Sequence, residues 1–424
     1  MPLMKQLFKP TNKDLLKRLG FTAFALAIFI IGTTIQVPGT KSITNNLGFL
    51  ELVNTMGGGA LQNFSIFALG VMPYITATII MQLLGEIVPY FQELRKQGHT
   101  GQQKINTISR YMGILIGFIQ GYAFSFMFLG KTATAGDYLY ISVILTAGTA
   151  FLLWLGDQIT QKGLGNGLSL IIMAGIIATL PQMFIDAFTN LVSLNGTLQA
   201  TALGITKFIL FVLIYFAIII GVVFVQLAER KVPIQYANKS TTFGKEAASY
   251  VPIKVNTAGV VPVIFASSLM AIPTIIAGLV NKEGVTLFVQ NYLNYRTPVG
   301  FIIYVIFIFL FGFVYTYMTF KPDEFAKNLQ ENGGYIPGIR PGEETKNYLS
   351  KILTRITCLG SVFLAIIVAL PIIFSNMTSL PTSVSIGGTS LLIVVGVALE
   401  TYKQLEGSLL SRNYKRGYKR RWKI

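Results

Sequence analysis

The sequence predicts an all-α membrane protein with ten transmembrane helices, and three observations lead to this fold class. Of the 424 residues, 52% are hydrophobic and only 12% are charged, whereas soluble domains carry about 25% charged residues. Ten apolar runs approach or reach the length needed to cross a bilayer as a helix, about 20 residues. Lys and Arg are concentrated in alternate loops between these runs, which is typical of the cytoplasmic side of a membrane protein.

The ten runs form two sets of five, separated by the polar stretch Asn190 to Thr201. We therefore divide the chain into an N-terminal half (residues 1–190), a hinge connection (191–206) and a C-terminal half (207–424). Two sets of five with opposite starting sides are typical of an inverted repeat, although no internal sequence repeat is visible. The predicted spans are Leu19–Val37, Ile66–Leu84, Tyr111–Gly130, Tyr138–Gly156, Leu168–Ile185, Phe208–Leu227, Thr257–Val280, Val299–Phe320, Ile356–Phe374 and Val384–Leu399.

The distribution of positive charge predicts that both termini are cytoplasmic. Of the 34 Lys and Arg residues, 29 lie in the termini or in the loops that follow the even-numbered spans. The five on the opposite side are Lys41, Lys131, Lys207, Lys282 and Arg296. The net charge of +17 is therefore mainly a signal of topology. Basic loops of this kind can also bind the phosphates of ribosomal RNA without reading its sequence.

The segment before the second span is apolar on one side but much too short to cross a membrane. It runs from Asn46 to Met56 and ends at the triplet Gly57-Gly58-Gly59, where glycine allows the chain to turn sharply. One interpretation is a re-entrant segment that is buried within the protein. The other is an amphipathic helix on the outer membrane surface, and spacing alone favours neither.

The residues predict no catalytic centre, metal site or cofactor. The sequence has no HExxH zinc motif and no P-loop, and a single histidine (His99) and a single cysteine (Cys358) cannot form a zinc site of the usual kind. The acidic residues Glu86, Asp157 and Glu229 lie at span ends. A secondary transporter would usually place ionisable groups at mid-membrane, and their near absence from the predicted spans argues against transport of ions or small charged solutes. A secondary transporter of a small solute is kept as the alternative function.

One long stretch and four later ones are similar to a known family. The stretch from Gly58 to Ile75, GGALQNFSIFALGVMPYI, closely resembles the plug and second span of the SecY family, the channel subunit of the protein translocase. The resemblance extends from near residue 15 to near residue 415. The later matching stretches are Trp154–Thr160 with Gly163–Ser169, Glu229–Ala237, Asn256–Ser268 and Asn332–Thr345.

The resemblance implies a channel for unfolded polypeptides, with an aliphatic pore ring, a plug at about residues 46–64 and a lateral gate. Without the resemblance, ordinary core packing would be the preferred interpretation of these residues. The implied pore ring is Val71, Ile75, Leu168, Ile172, Ile264 and Ile393. The implied plug residues are Leu50, Leu52, Val53, Met56, Gly58, Ala60 and Leu61. The implied lateral gate between spans two and three and spans seven and eight includes Thr76, Thr78, Gln82, Ser267 and Ser268.

The resemblance also implies partners and a location. The family acts in the bacterial plasma membrane with SecE and SecG as small membrane subunits, and with the SecA ATPase or a ribosome on the cytoplasmic face. Its substrates are preproteins with signal sequences, and it releases transmembrane segments into the lipid bilayer. The docking surface is expected on the large loops at about 229–256 and 320–350. The docking residues are Arg230, Lys231, Lys239, Lys245, Lys254 and Arg340. No enzymatic activity is expected.

Overall fold

The computed structural model describes residues 13–43, 50–129, 134–192, 198–236, 249–280, 283–294, 297–378 and 387–421. These residues form long apolar helices and three short strands. The helices are α1 (Lys13–Thr34), α2 (Glu51–Met56), α3 (Met72–Ile87), α4 (Pro89–Lys96), α5 (His99–Leu129), α6 (Ala135–Lys162), α7 (Gly167–Leu191), α8 (Leu198–Leu227), α9 (Val261–Val280), α10 (Glu283–Tyr292), α11 (Pro298–Thr319), α12 (Pro322–Glu331), α13 (Glu343–Thr378) and α14 (Gly387–Arg421). The strands are β1 (Glu229–Tyr236), β2 (Ser249–Lys254) and β3 (Gly334–Tyr335).

The predicted class, an all-α membrane protein, is confirmed. Among the described residues, 7 helices are long and apolar enough to cross a membrane, or 8 if the bent pair α3 and α4 is one span. Each of the ten predicted spans coincides with one helix: α1, α3, α5, α6, α7, α8, α9, α11, α13 and α14. The count of ten spans stays a prediction, because α9 and α14 do not meet that test of length and composition. The first residues of the tenth predicted span, 384–386, lie outside the described part of the chain.

The second predicted span starts later than its apolar run. The run begins at Ile66, but helix α3 begins only at Met72. Residues 57–71 form turns, because Gly58, Gly59 and Gly70 have φ angles of +73°, +81° and +55°, which no right-handed helix contains. The backbone of this segment is bonded within the protein: Val37 N–H donates to the Phe64 carbonyl, and Ile66 N–H to that of Ile35. Irregular backbone at membrane depth requires such internal partners.

A sharp bend ends the second span. Helices α3 and α4 meet at an angle of 94°. Val88 between them has the extended angles φ −93° and ψ 121°, as expected for the residue before a proline, here Pro89. The chain therefore changes direction at this point, and α4 packs against α3 and α5.

The two predicted halves of the chain meet at two places: α9 contacts α3 and α5, and α7 contacts α8 and α14. Helix α5 packs closely against its neighbours at its glycines. A Cβ atom added at Gly113 would lie 3.1 Å from the Cα atom of Tyr74, and one at Gly121 would lie 3.3 Å from the carbonyl oxygen of Ser142. These glycines let α3 and α6 approach α5 closely.

The two large loops form one module outside the helical bundle. Strands β1 and β2 are antiparallel, and the sheet order is β2-β1-β3. The third strand comes from the later loop, which the sequence did not predict. A separate apolar cluster holds the module together; its buried members are Val232, Ile234, Ile253, Leu329, Ile336, Leu349, Ile352, Leu353 and Ile356.

Candidate functional site

The six implied ring residues belong to one apolar cluster that includes helices from both halves of the chain. Val71, Ile172 and Ile393 are buried, with 4%, 6% and 2% of their surface exposed. The other three, Ile75, Leu168 and Ile264, are partly buried and pack against the same cluster. Each residue lies next to or within about two turns of the N-terminus of its helix, α3, α7, α9 or α14. All six residues thus lie in the apolar core, near the first turns of four helices.

Local sequence explains the position of two ring residues. Gly165 has a φ angle of +82°, which allows the tight turn after α6. The side chain of Asn166 then accepts a hydrogen bond from the Ser169 backbone N–H, so that α7 begins at Gly167. Leu168 and Ile172 follow four residues apart and lie on one face of the helix.

The segment that contains α2 is buried inside the protein. Helix α2 is only 6 residues long, and it contacts α7 and α14. Leu50, Val53, Met56, Ala60 and Leu61 are buried in the cluster that holds the ring residues. This burial contradicts an amphipathic helix on the membrane surface and agrees with a re-entrant segment. Residues 46–49 lie outside the described part of the chain, and so does the side chain of Leu52.

Asn54, which sequence reasoning missed, organises the buried segment. Its side-chain nitrogen donates to Glu51 Oε1 at 3.2 Å, and its side-chain oxygen accepts from the Gln62 backbone N–H at 2.9 Å. The Asn54 carbonyl also accepts from the Gly59 N–H at 2.8 Å. A polar residue in the middle of a short apolar helix was the available signal, because a buried amide needs partners.

A contact between two glycines joins this segment to α7. A Cβ atom at Gly175 would lie 2.3 Å from the Met56 carbonyl oxygen and 2.9 Å from the Gly58 nitrogen. A Cβ atom at Gly58 would lie 3.3 Å from the Gly175 Cα atom. The two backbones therefore touch without intervening side chains. The Gly58 position was predicted as part of the plug, whereas Gly175 was not, because a single glycine within a helix carries no specific signal.

The residues implied for a lateral gate lie on α3 and α9. The hydroxyl groups of Thr76 and Thr78 donate to the carbonyls of Met72 and Tyr74 in their own helix. Ser267 and Ser268 likewise donate to carbonyls within α9, those of Val263 and Ile264. Ser267 also hydrogen-bonds to Tyr304 of α11. Within the described residues, none of these four hydroxyls bonds across the seam between α3 or α5 and α9.

A polar cavity of about 380 Å³ lies at one end of this seam. Residues of α3, α4, α5 and α11 line it, among them Gln82, Arg95, Asn106, Tyr315 and Lys321. Arg95 forms an ion pair with Glu86. The side-chain oxygen of Gln82 is buried and has no hydrogen-bond partner among the described residues. Polar side chains therefore lie at this end of the seam.

The implied docking residues are spread over the loop module. Arg230, Lys231 and Lys254 lie on β1 and β2 and are exposed. The ammonium group of Lys231 lies 4.7 Å from the centre of the Tyr250 ring, a cation–π contact. Lys239 and Lys245 fall outside the described part of the chain.

Arg340 lies at an exposed loop tip between two glycines, Gly338 and Gly342, whose φ angles are +80° and +97°. Its carbonyl accepts from the Thr345 hydroxyl at 2.9 Å, and its backbone N–H donates to Glu344. The backbone is thus fixed, while the guanidinium group has no hydrogen bond or ion pair to any described residue. A fixed backbone with a free planar cation suits the binding of an external carboxylate or phosphate.

Lys346, in contrast, is engaged within the module. Its ammonium group lies 2.8 Å from the Asp323 carboxylate and 3.2 Å from that of Glu343. The hydrogen bonds that its ammonium group donates to Asp323 and Glu343 raise the pKa of this lysine. Lys351 is exposed and forms no ion pair with the described residues, so it represents an unengaged cation in the same region.

The sequence is similar to one protein family and to named relatives. The family model for SecY matches residues 65–402. The chain belongs to the SecY family. A relative named protein translocase subunit SecY, from Staphylococcus epidermidis, is 46% identical over 420 residues, which cover 96% of this chain and 97% of the relative. The corresponding protein of Bacillus subtilis is 45% identical over 417 residues, with 95% and 96% covered.

Solved structures share the fold. A structure described as a protein-conducting channel has a TM-score of 0.67 at 19% identity, with 92% of each chain covered. The Sec61 channel of a canine ribosome–channel complex has a TM-score of 0.64 at 18% identity, again with 92% of each chain covered. At this identity the likeness supports the architecture alone. Family membership favours the channel over the alternative of a secondary transporter.

Proposed function

We propose that this chain is the protein-conducting channel of the general secretory pathway. It passes unfolded polypeptides across the membrane and releases transmembrane segments sideways into lipid. The observation that carries the proposal is the single apolar cluster that joins the six ring residues of both halves to the buried α2 segment. The high identity to translocase subunits over nearly the whole chain supports the same conclusion.

The ring acts as a seal that does not select its substrate. Aliphatic side chains form no specific bonds, so they let varied residues of a moving polypeptide pass. A narrow apolar constriction also resists wetting when no polypeptide is present. The α2 segment adds a second barrier, because it packs into the same cluster and must leave before a polypeptide can enter.

The lateral gate is the seam where α3 and α5 meet α9. Its hydroxyl groups are satisfied within their own helices or by Tyr304, so opening the seam breaks few hydrogen bonds. An apolar signal-sequence helix can then replace the apolar contacts across it. Hydrogen bonds between membrane helices contribute only about 0.6 kcal/mol on average. The remaining barrier to opening is therefore set mainly by side-chain packing.

The chain works in the bacterial plasma membrane with both termini in the cytoplasm. This orientation rests on the 29 Lys and Arg that the sequence places on one side. SecE and SecG are its membrane subunits. SecA or a ribosome docks on the loop module and supplies the driving force, since the channel has no energy source of its own. The expectation of no enzymatic activity agrees with a passive channel.

Reconstitution with SecA, SecE and SecG tests the proposal. Vesicles that contain this chain should take up a secretory precursor when ATP is added, as measured by protection from protease. Arg340→Glu should abolish this uptake and leave ion tightness unchanged, whereas Arg340→Lys should reduce uptake in part because an ammonium group lacks the planar fork of donors.

Lys351→Glu is the matched control for net charge. Lys346→Glu is unsuitable, because it would break two ion pairs within the module. Equal losses for Arg340→Glu and Lys351→Glu would show that the loop acts only as a general basic surface. Failure of the unaltered chain to move any precursor would contradict the proposed function itself.

A further inference from the structure

A second cavity, of about 320 Å³, lies beside the contact between the α2 segment and α7, and two carboxylate groups line it. Glu51 belongs to α2, and Asp186 belongs to α7. No Lys or Arg is among the described residues that line the cavity. Two like charges from different elements therefore line one cavity without a basic side chain among its described residues to balance them.

Each carboxylate has one oxygen engaged and one available. Glu51 Oε1 accepts from the Asn54 side-chain amide at 3.2 Å, and Asp186 Oδ1 accepts from that of Gln182 at 2.8 Å. Both donors are neutral. The second oxygen of each carboxylate has no hydrogen bond or ion pair to the described residues. These contacts orient the carboxylates and leave their charges uncompensated.

A buried hydroxyl group in the wall of the cavity is an independent indication of a ligand. Ser390 of α14 lines the cavity and has only 1% of its surface exposed. Its hydroxyl oxygen is buried and has no hydrogen-bond partner among the described residues. A buried hydroxyl without a partner is costly, and a ligand in the cavity that this residue lines would relieve that cost.

We propose that this cavity binds a divalent cation, with Ca²⁺ as the probe ion, which links Glu51 of the α2 segment to Asp186 of α7. Hard cations take oxygen ligands, and Ca²⁺ accepts six to eight of them in flexible geometry. A water molecule occupies about 30 Å³, so the cavity has room for an ion with several waters. The lining amides supply further oxygen ligands.

The bound cation stabilises the closed arrangement of the channel. The site is complete only while α2 packs against α7, so the ion binds this arrangement better than any in which α2 has moved away, and it shifts the equilibrium toward closure.

The proposal rests on the plug role given above, so its test includes a readout that does not depend on that role. Calorimetric titration of Ca²⁺ into the purified full-length chain measures binding directly. The unaltered chain should bind Ca²⁺, Glu51→Gln should not, and Asp186→Asn should bind about tenfold more weakly or worse, because affinity follows the number of charged ligands. Asp137→Asn is the control, since Asp137 lies at the same end of the bundle but caps α6 instead of lining the cavity.

Ion leak from vesicles at neutral pH gives the functional readout. The unaltered chain should leak more in a chelator than in Ca²⁺, whereas Glu51→Gln, which removes the repulsion between the two carboxylates, should be tight in both. Absence of Ca²⁺ binding to the unaltered chain, or equal binding by Glu51→Gln, would overturn the proposal. Binding that requires Glu51 but leaves the leak unchanged would support the site and contradict the plug role.

Discussion

Substitution of Gly175 by alanine should displace the buried α2 segment from the channel. The added Cβ atom would lie 2.3 Å from the Met56 carbonyl oxygen, where ordinary contacts are 3.4–4 Å. One of the two backbones must therefore move by about 1 Å. The α7 backbone is held by its helical hydrogen bonds, whereas residues 57–71 form turns, so we expect the segment to move.

The size of the effect follows from the cost of overpacking a close contact, about 1–3 kcal/mol. If this cost falls mainly on the closed state, the ratio of displaced to closed channels rises by about 5–150-fold. The measurement is ion leak from vesicles that contain the full-length chain, together with export of precursors that have defective signal sequences. Both should increase.

Gly221→Ala in α8 is the matched control, because no atom lies within 4 Å of the Cβ position at Gly221. Both substitutions replace a helical glycine by alanine and gain similar helix propensity, about 1 kcal/mol. Equal leak for the two variants, with both normally inserted, would refute the claim that the glycine contact holds the segment in place.

Two further predictions concern the ring and the topology. Ile264→Asn should weaken the closed state and increase ion leak, because a polar group in an apolar constriction favours entry of water; Ile264→Leu is the control, and no difference between the two would return this residue to plain core packing. Reporter fusions after Lys41, Lys131, Lys207 and Arg296 should be external, and a fusion at the C-terminus should be cytoplasmic. An external C-terminus would remove one span from the predicted ten.

Sequence periodicity predicted the helices well and the irregular segments poorly. Long apolar runs need only length and composition to be recognised, so ten runs coincide with ten helices. The predicted start of the second span, Ile66, was wrong. Residues 66–71 are mostly apolar, but the positive φ angles before Met72 prevent a helix there. The pairing of β3 with β1 also escaped prediction, since it joins residues about 100 positions apart and β3 has only 2 residues.

Residue types and the family resemblance predicted one part of the site, the ring and the buried segment. The ring and the segment 50–61 were named in advance, and the structure places their described members in one cluster. Asn54, Gly175 and the facing of Glu51 toward Asp186 depend on how distant segments pack. Such contacts have no local signal in the sequence.

The most direct test of the central claim is to locate a polypeptide inside the ring. In a chain with Cys358→Ser, a single cysteine is introduced by Ile393→Cys, and a secretory precursor with one cysteine is stalled during transport. We expect a disulfide between the two chains that depends on SecA and ATP. We expect none for Phe216→Cys, because Phe216 lies on α8 with 59% of its surface exposed. Equal cross-linking at both positions, or cross-linking at Phe216→Cys alone, would contradict passage of the polypeptide through this ring.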